Sequence, residues 1–210
     1  YFTDHNWVKK QQKRRDAEPY RFWMYPLALL TGARQAELLQ LDRKDISSDE
    51  NGIWYMDILE EIDGETGEKI KSTKNQNSIR KVPLSNILID MGFIKFVQSG
   101  RSTQLFPELK SKKDGKDTAQ KFLNAQLKRW GIHEKHVKTF HSLRHNFVTQ
   151  AINNGIKARY IGGVTGHLDK KEFGGVAEIA NTYLKGFTPL ILKEEVIDKL
   201  SYGLDFSRIK

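Results

Sequence analysis

Residues 53–84 have the sequence IWYMDILEEIDGETGEKIKSTKNQNSIRKVPL, and they decide the fold class because their pattern differs from that of the flanking chain. The first ten are rich in aromatic and β-branched side chains, and Asp63-Gly64 and Thr66-Gly67 are typical turn pairs. EKIKS and RKVPL predict two further short strands, joined by the polar segment TKNQNSI. We therefore predict a small antiparallel β-sheet.

Helical patterns lie on both sides of this sheet. Upstream, apolar residues 22–30 predict a buried helix that contains Pro26 and ends at Gly32, and a second helical segment follows at 36–41. Downstream, helices are predicted at residues 86–98, 117–130, 142–154, 157–165, 174–184 and 189–200, with a polar loop at 107–117. The expected fold class is α+β, mainly α.

The composition narrows the function classes. The chain of 210 residues has 35 Lys and Arg against 26 Asp and Glu, a formal net charge of +9. This excess favours a polyanionic partner such as nucleic acid, although charge alone does not exclude a merely basic protein. The absence of cysteine excludes disulfides, zinc fingers and thiol catalysis. No stretch approaches 18 apolar residues and the first residues form no signal peptide, so a cytoplasmic protein is expected.

Two segments carry arginines in contexts that suit phosphate binding. In TGARQAELLQL, residues 31–41, Gly32 allows a tight turn, Arg34 lies near a helix start, and Glu37 can pair with Arg34 or cap its helix. In HSLRHNF, residues 141–147, His141 and Arg144 are three residues apart on a predicted helix. The planar guanidinium matches phosphate oxygens, but each segment alone is also compatible with an ordinary surface helix.

Three further residues could supply proton transfer and a nucleophile. Lys74 lies in a polar turn beside a strand, where a lysine can act as a compact proton donor. Gly166 lets the backbone pass close to a ligand beside His167. Tyr183 has polar neighbours, and a phenol can form a covalent intermediate when cations stabilise its oxyanion. Taken alone, Lys74 is better explained as a solvated hairpin lysine, whereas a tyrosine buried for packing would more often have apolar neighbours than Tyr183 has.

Together, and in this order, these segments resemble the tyrosine recombinases, the phage integrase family, over roughly residues 20–190. The matching patterns are Thr-Gly-x-Arg-x-x-Glu-Leu at 31–38, Lys through Ser and Arg to Val-Pro-Leu at 74–84, His-x-Leu-Arg-His at 141–145, Gly-His at 166–167 and Tyr-Leu-Lys-Gly at 183–186. The last pattern is similar to that of phage-type integrases. The gap from His167 to Tyr183 is longer than in compact members, and Tyr160 and Tyr202 are the rival nucleophiles.

The resemblance implies a mechanism without a metal or other cofactor. Tyr183 would attack a DNA phosphodiester to form a 3′-phosphotyrosyl bond, and Lys74 would protonate the leaving 5′-oxygen. His141 and His167 would hydrogen-bond the phosphate, and His141 could also accept the tyrosine proton.

The same resemblance assigns the arginines to the phosphate. Arg34 and Arg144 would grip its nonbridging oxygens and stabilise the crowded transition state, while Glu37 would orient Arg34. Clustered carboxylates, which metal nucleases need, are not evident in the sequence, and Asp45 is expected to be an ordinary loop acid.

The resemblance also implies partners and a domain organisation. The expected partner is double-stranded DNA at attachment or recombination sites, bound by a homotetramer with accessory DNA-bending proteins and without a membrane. The expected parts are a linker-like basic segment at 1–18, a tyrosine recombinase catalytic domain at 19–188, and a C-terminal helix and tail at 189–210 that protomers could exchange. Because the chain does not begin with Met, a separate DNA-binding domain is expected upstream.

Two other functions are compatible with this chemistry. A type IB topoisomerase would use the same residues and would relax supercoiled plasmid instead of recombining attachment sites. A non-catalytic DNA-binding module would form no covalent adduct with DNA.

Overall fold

The structure is a computed structural model, and it describes residues 18–73, 78–110, 115–132, 134, 137–166 and 186–204. The α-helices within these ranges are α1 Pro19–Thr31, α2 Gln35–Leu39, α3 Asn86–Asp90, α4 Phe93–Ser99, α5 Pro107–Lys110, α6 Gly115–Arg129, α7 Ser142–Asn153, α8 Ala158–Thr165 and α9 Pro189–Leu192. The strands are β1 Ile46–Ser48, β2 Trp54–Ile58, β3 Glu61–Ile62, β4 Lys69–Lys71 and β5 Arg80–Pro83. The predicted α+β, mainly α fold with a small antiparallel sheet is confirmed.

The chain forms two compact units. The first comprises residues 1–43, 86–147 and 202–210, and the second comprises residues 44–85 and 148–201. In the first unit, α1 is the central core element, because the side chains of Tyr20, Trp23, Met24 and Leu27 are fully buried. Proline is tolerated at the start of this helix because the first helical turn needs no donor from it.

The second unit contains both sheets. Strands β1, β2 and β5 form an antiparallel sheet in that order, with Met56 of β2 paired to Ile46 on one side and to Val82 on the other. Strands β3 and β4 form a separate two-stranded ribbon, in which Glu61 pairs with Lys71. The stretch 53–62 is therefore divided between two sheets. Strand β1 is not predicted from the sequence, because it is only three residues long.

Two predicted segments between residues 86 and 117 differ from the structure. The expected helix at 86–98 is divided into α3 and α4 by Gly92, whose φ of +84° is open to glycine but strained for other residues. The expected polar loop at 107–117 contains α5, where the Glu108 carboxylate accepts a hydrogen bond from the Tyr20 amide (2.9 Å). The helix predicted at 174–184 lies outside the described residues.

A buried ion pair lies at the base of the β3–β4 ribbon. The Lys71 ammonium donates to both carboxylate oxygens of Asp45, at 3.0 and 2.8 Å, and each side chain is almost fully buried. Glu61 lies 3.0 Å from the same ammonium. Asp45 is therefore not an ordinary loop acid, and the expectation was wrong because sequence alone does not bring Lys71 to it from 26 residues away.

Replacing Asp45 with Asn should destabilise the protein by about 3–5 kcal/mol, because it leaves the buried Lys71 ammonium without its main counter-charge. Urea denaturation monitored by circular dichroism measures this loss. The matched control is Glu195→Gln, which removes an exposed carboxylate from the Glu195–Lys199 pair and should leave the unfolding midpoint nearly unchanged. Equal midpoints for Asp45→Asn and the wild type would contradict this role of the buried pair.

Candidate active site

The carboxylate of Glu37 holds both the backbone and the side chain of Arg34. The backbone N–H of Arg34 donates to Glu37 Oε2 (2.8 Å), and its guanidinium Nη1 donates to Oε1 (2.6 Å). Glu37 is only 3% exposed, so this carboxylate is fixed inside the first unit. Arg34 occupies the position just before α2, where Glu37 also satisfies an amide that the helix leaves unpaired. The backbone and the charged end of Arg34 are thus anchored together.

The turn before Arg34 depends on glycine. Gly32 ends α1 with a left-handed φ of +63°, and its amide donates to the Ala28 carbonyl. A Cβ at this position would lie 2.7 Å from a ring carbon of Phe147, closer than real contacts allow. Thr31, fully buried, donates its hydroxyl to the Leu27 carbonyl (2.6 Å) and accepts from the Ala33 amide. The turn therefore directs the chain from α1 to Arg34.

Arg144 is bound to that same turn. Its Nη1 donates to the Gly32 carbonyl (2.6 Å), two residues before Arg34, and the side chain is only 8% exposed. Arg144 and Phe147 are three residues apart on α7 and so lie on one face of the helix. Phe147 packs on Gly32 while Arg144 bonds its carbonyl. The structure thus brings both predicted arginines to the segment 32–34.

His141 lies just before α7, which begins at the predicted Ser142. Its ring is exposed and meets the ring of His145 edge to face, with centroids 5.0 Å apart. The Ser142 hydroxyl oxygen accepts from the Thr139 amide (3.1 Å) and donates to the Val137 carbonyl, which fixes the entry into the helix. The structure therefore leaves the His141 imidazole open to solvent, three residues before the buried Arg144.

Lys74, His167 and Tyr183 lie outside the described residues. The residues next to two of them are described. Gly166 ends α8 with a φ of +64°, and a Cβ there would lie 3.0 Å from Arg80 Nη1 and 3.1 Å from Ser78 Cα. The close approach expected of Gly166 toward a ligand is thus, in the structure, an approach to the chain's own residues 78–80. Sequence reasoning assigned no role to Arg80, although the matched Lys-to-Leu pattern contains it.

The hydroxyls of the two rival tyrosines, Tyr202 and Tyr160, are both hydrogen-bonded within the protein. The Tyr202 hydroxyl donates to the Leu29 carbonyl of α1, and burial raises the pKa of this phenol well above its ordinary value. A raised pKa opposes formation of the phenolate that a nucleophile needs. The Tyr160 hydroxyl accepts a hydrogen bond from Arg159 (2.9 Å), and its ring contacts Phe187. Tyr202 is therefore poorly suited to attack a phosphate.

Among the described residues, no group of three or more histidine and acidic side chains is placed to hold a metal ion. Within the same part of the chain, no helix combines the length and the apolar character needed to cross a bilayer.

Arg144 is buried and Arg34 is partly exposed, and both contact one turn of a mainly helical fold. The chain matches the Phage integrase family over residues 9–174 and belongs to that family. It is similar in structure to the XerA recombinase (TM-score 0.53, 19% identity), and the match covers 92% of this chain but 61% of that one.

A second solved structure to which this chain is similar is that of the XerH site-specific recombinase bound to difH substrate in a pre-cleavage complex. Its TM-score is 0.49 at 17% identity, with 85% of this chain and 49% of that chain covered. A search of curated proteins found no match.

Proposed function

We propose that this chain is the catalytic part of a site-specific DNA recombinase that cuts and rejoins DNA through a 3′-phosphotyrosyl intermediate. The observation that carries the proposal is the pair of mostly buried arginines, Arg34 and Arg144, anchored to one three-residue turn in a member of the phage integrase family. The planar donor geometry of a guanidinium suits the oxygens of a phosphate.

The arginines would act on the nonbridging oxygens of the scissile phosphate. Glu37 holds the Arg34 guanidinium, and the Gly32 carbonyl holds that of Arg144, so neither side chain must be ordered when DNA binds. Donors fixed in advance stabilise developing charge at little reorganisation cost. The negative charge on the nonbridging oxygens of the pentavalent transition state would then be met by two cations.

The covalent chemistry is assigned to Tyr183, Lys74 and His167, which lie outside the described ranges, and to His141, which lies within them. The Tyr183 phenolate oxygen would form a bond to phosphorus as the bond from phosphorus to the 5′-oxygen breaks. Lys74 would give its proton to that oxygen, and His141 would accept the phenol proton, with His167 hydrogen-bonded to the phosphate. A 5′-hydroxyl of a partner strand would reverse the step, so bond energy is conserved and no nucleotide cofactor is needed.

Partners follow from this function. The net charge of +9 supports binding to double-stranded DNA, because each phosphate neutralised adds to affinity. We further propose a homotetramer on its recombination sites, accessory DNA-bending proteins and a cytoplasmic location. Residues 1–18 would be a linker-like basic segment, residues 19–188 the catalytic domain, and residues 189–210 a C-terminal helix and tail that protomers could exchange.

Covalent capture tests the proposal. The chain should form an SDS-resistant adduct with members of a randomised pool of nicked duplexes, from which the short 5′-hydroxyl fragment diffuses away after cleavage. Sequencing the captured DNA then supplies a defined substrate.

Adduct formation should continue in excess EDTA, because the proposed donors are protein side chains and not metal-bound water. Gel electrophoresis of the captured duplex with and without EDTA measures this. No adduct in either condition would contradict the function, and loss with EDTA followed by recovery with magnesium would contradict the mechanism. On the captured sequence, strand exchange between two duplexes distinguishes a recombinase from a topoisomerase.

A further inference from the structure

The side chain of Arg80 joins two segments that the mechanism leaves unconnected. Arg80 begins β5, and its Nη1 donates to the Ser78 carbonyl (2.6 Å) while its Nε donates to the Val164 carbonyl near the end of α8 (2.6 Å). Ser78 and Val164 are both fully buried, and Arg80 is half-buried. The contacts join residues 84 positions apart, so Arg80 is a long-range bridge.

The bridge meets α8 where a helix has unpaired carbonyls. The last four carbonyls of a helix lack intrahelical partners, and a cation near them is also favoured by the helix dipole. Arg80 satisfies the Val164 carbonyl, while the left-handed Gly166 turns the chain over the guanidinium and over Ser78. Any side chain at Gly166 would be strained by its positive φ and crowded against Arg80.

The other end of the same segment is also anchored. The Thr73 amide and hydroxyl donate to the Glu60 carboxylate, at 3.3 and 2.9 Å, and Lys71 is held by Asp45. Residues 71–73 and 78–80 therefore hold the chain on both sides of Lys74. Of these anchors, the Arg80 side chain is the one that reaches α8. It contacts Gly166, the residue directly before His167.

We propose that Arg80 is a positioning residue for the general acid: it holds the segment 78–80, which begins four residues after Lys74, to the end of α8 and against Gly166. The inference rests on the proposed function, since it gives Lys74 the leaving-group proton. Without Arg80, the segment loses its bond to α8, and misplacement of a catalytic group by about 1 Å can cost ~10²-fold in rate. In this role Arg80 acts through its bonds to the Ser78 and Val164 carbonyls.

The test uses the captured duplex in two forms, with oxygen or sulfur at the 5′-bridging position of the scissile phosphate. Breaking the P–O bond requires a proton for the alkoxide, whereas breaking the P–S bond releases a thiolate whose conjugate acid has a pKa of only about 8.5. A variant that lacks a well-placed general acid is therefore slow with oxygen and recovers with sulfur.

Arg80→Ala should form adduct about 10²-fold more slowly than the wild type with the oxygen duplex, but within about tenfold of it with the sulfur duplex. Lys74→Ala should show the same recovery, and the double variant should be little slower than Lys74→Ala alone, because the two residues serve one step. Arg80→Lys, which keeps charge but loses the planar fork, should fall between Arg80→Ala and the wild type.

The matched control is Lys81→Ala, which removes a cation from the next position of β5, where the ammonium lies over the Tyr55 ring (4.7 Å). It should keep both rates within about twofold, as for a surface substitution. The positioning role would be overturned if Arg80→Ala were slowed equally with both duplexes, or if it were slowed with neither duplex. If Arg80→Ala fails to fold, the same comparison with Arg80→Lys decides. A wild type that forms no adduct would instead contradict the proposed function.

Discussion

Replacing Tyr183 with Phe is expected to abolish the covalent protein–DNA adduct while DNA binding stays within about twofold of the wild-type affinity. The substitution removes one oxygen and leaves the ring, so the cations that bind phosphates are unchanged. SDS gels of the captured duplex measure the adduct, and fluorescence anisotropy at fixed salt measures binding. The loss should be complete, because without the phenol no protein–phosphorus bond can form at that position.

The matched controls are Tyr202→Phe and Tyr160→Phe, the two rival positions. Tyr202→Phe removes the hydroxyl that bonds the Leu29 carbonyl, which should cost about 1 kcal/mol of stability but leave the adduct. Tyr160→Phe removes an acceptor for Arg159 and should also keep the adduct. An adduct formed by Tyr183→Phe would contradict the assignment, and its loss in Tyr202→Phe would move the nucleophile there.

The parts of the fold that sequence predicts well are those set by local backbone chemistry. Gly32 was expected to end the first helix, and it does so because only a residue without Cβ fits beside Phe147 at positive φ. Ser142 was expected to begin α7, and its hydroxyl accepts the Thr139 amide there. The spacing of Arg34 and Glu37 predicted that Glu37 could pair with Arg34 or cap its helix, and the Glu37 carboxylate accepts from both the guanidinium and the amide of Arg34.

The parts that it misses depend on contacts between distant residues. Asp45 and Lys71 are separated by 26 positions, and nothing in either neighbourhood marks a buried charge. The division of 53–62 between two sheets is set by partners at 80–83 and 69–71, which compete for the same run of apolar residues. Gly166 was correctly singled out for a close approach, but its neighbours proved to be Ser78 and Arg80.

The same distinction explains the arginine pair. Local pattern places Arg34 before a helix and Arg144 within the first turn of another, but it does not say that they meet at one turn. The bond from Arg144 to the Gly32 carbonyl spans 112 positions, and it is this bond that makes the two residues a unit. A lone surface arginine would be solvated, whereas Arg144 is buried and fixed before any substrate arrives.

Replacing Arg34 or Arg144 with Ala should slow adduct formation about 10²–10³-fold, the usual cost of removing one donor from a charged transition state. Single-turnover cleavage of the captured duplex measures the rates. If both guanidiniums act on one phosphate, the double variant should be far less impaired than the product of the two single losses. Multiplicative losses would show that the residues act at separate phosphates.

Two further variants separate charge from geometry. Arg144→Lys keeps the cation but cannot bond the Gly32 carbonyl and a phosphate through one planar fork, so it should recover only part of the rate. Glu37→Gln still offers an oxygen to the Arg34 amide but removes the counter-charge from its guanidinium. If Glu37 mainly orients Arg34, this variant should slow cleavage yet leave duplex affinity nearly unchanged. A drop in affinity equal to the drop in rate would show that Glu37 supports DNA binding as a whole and not the transition state.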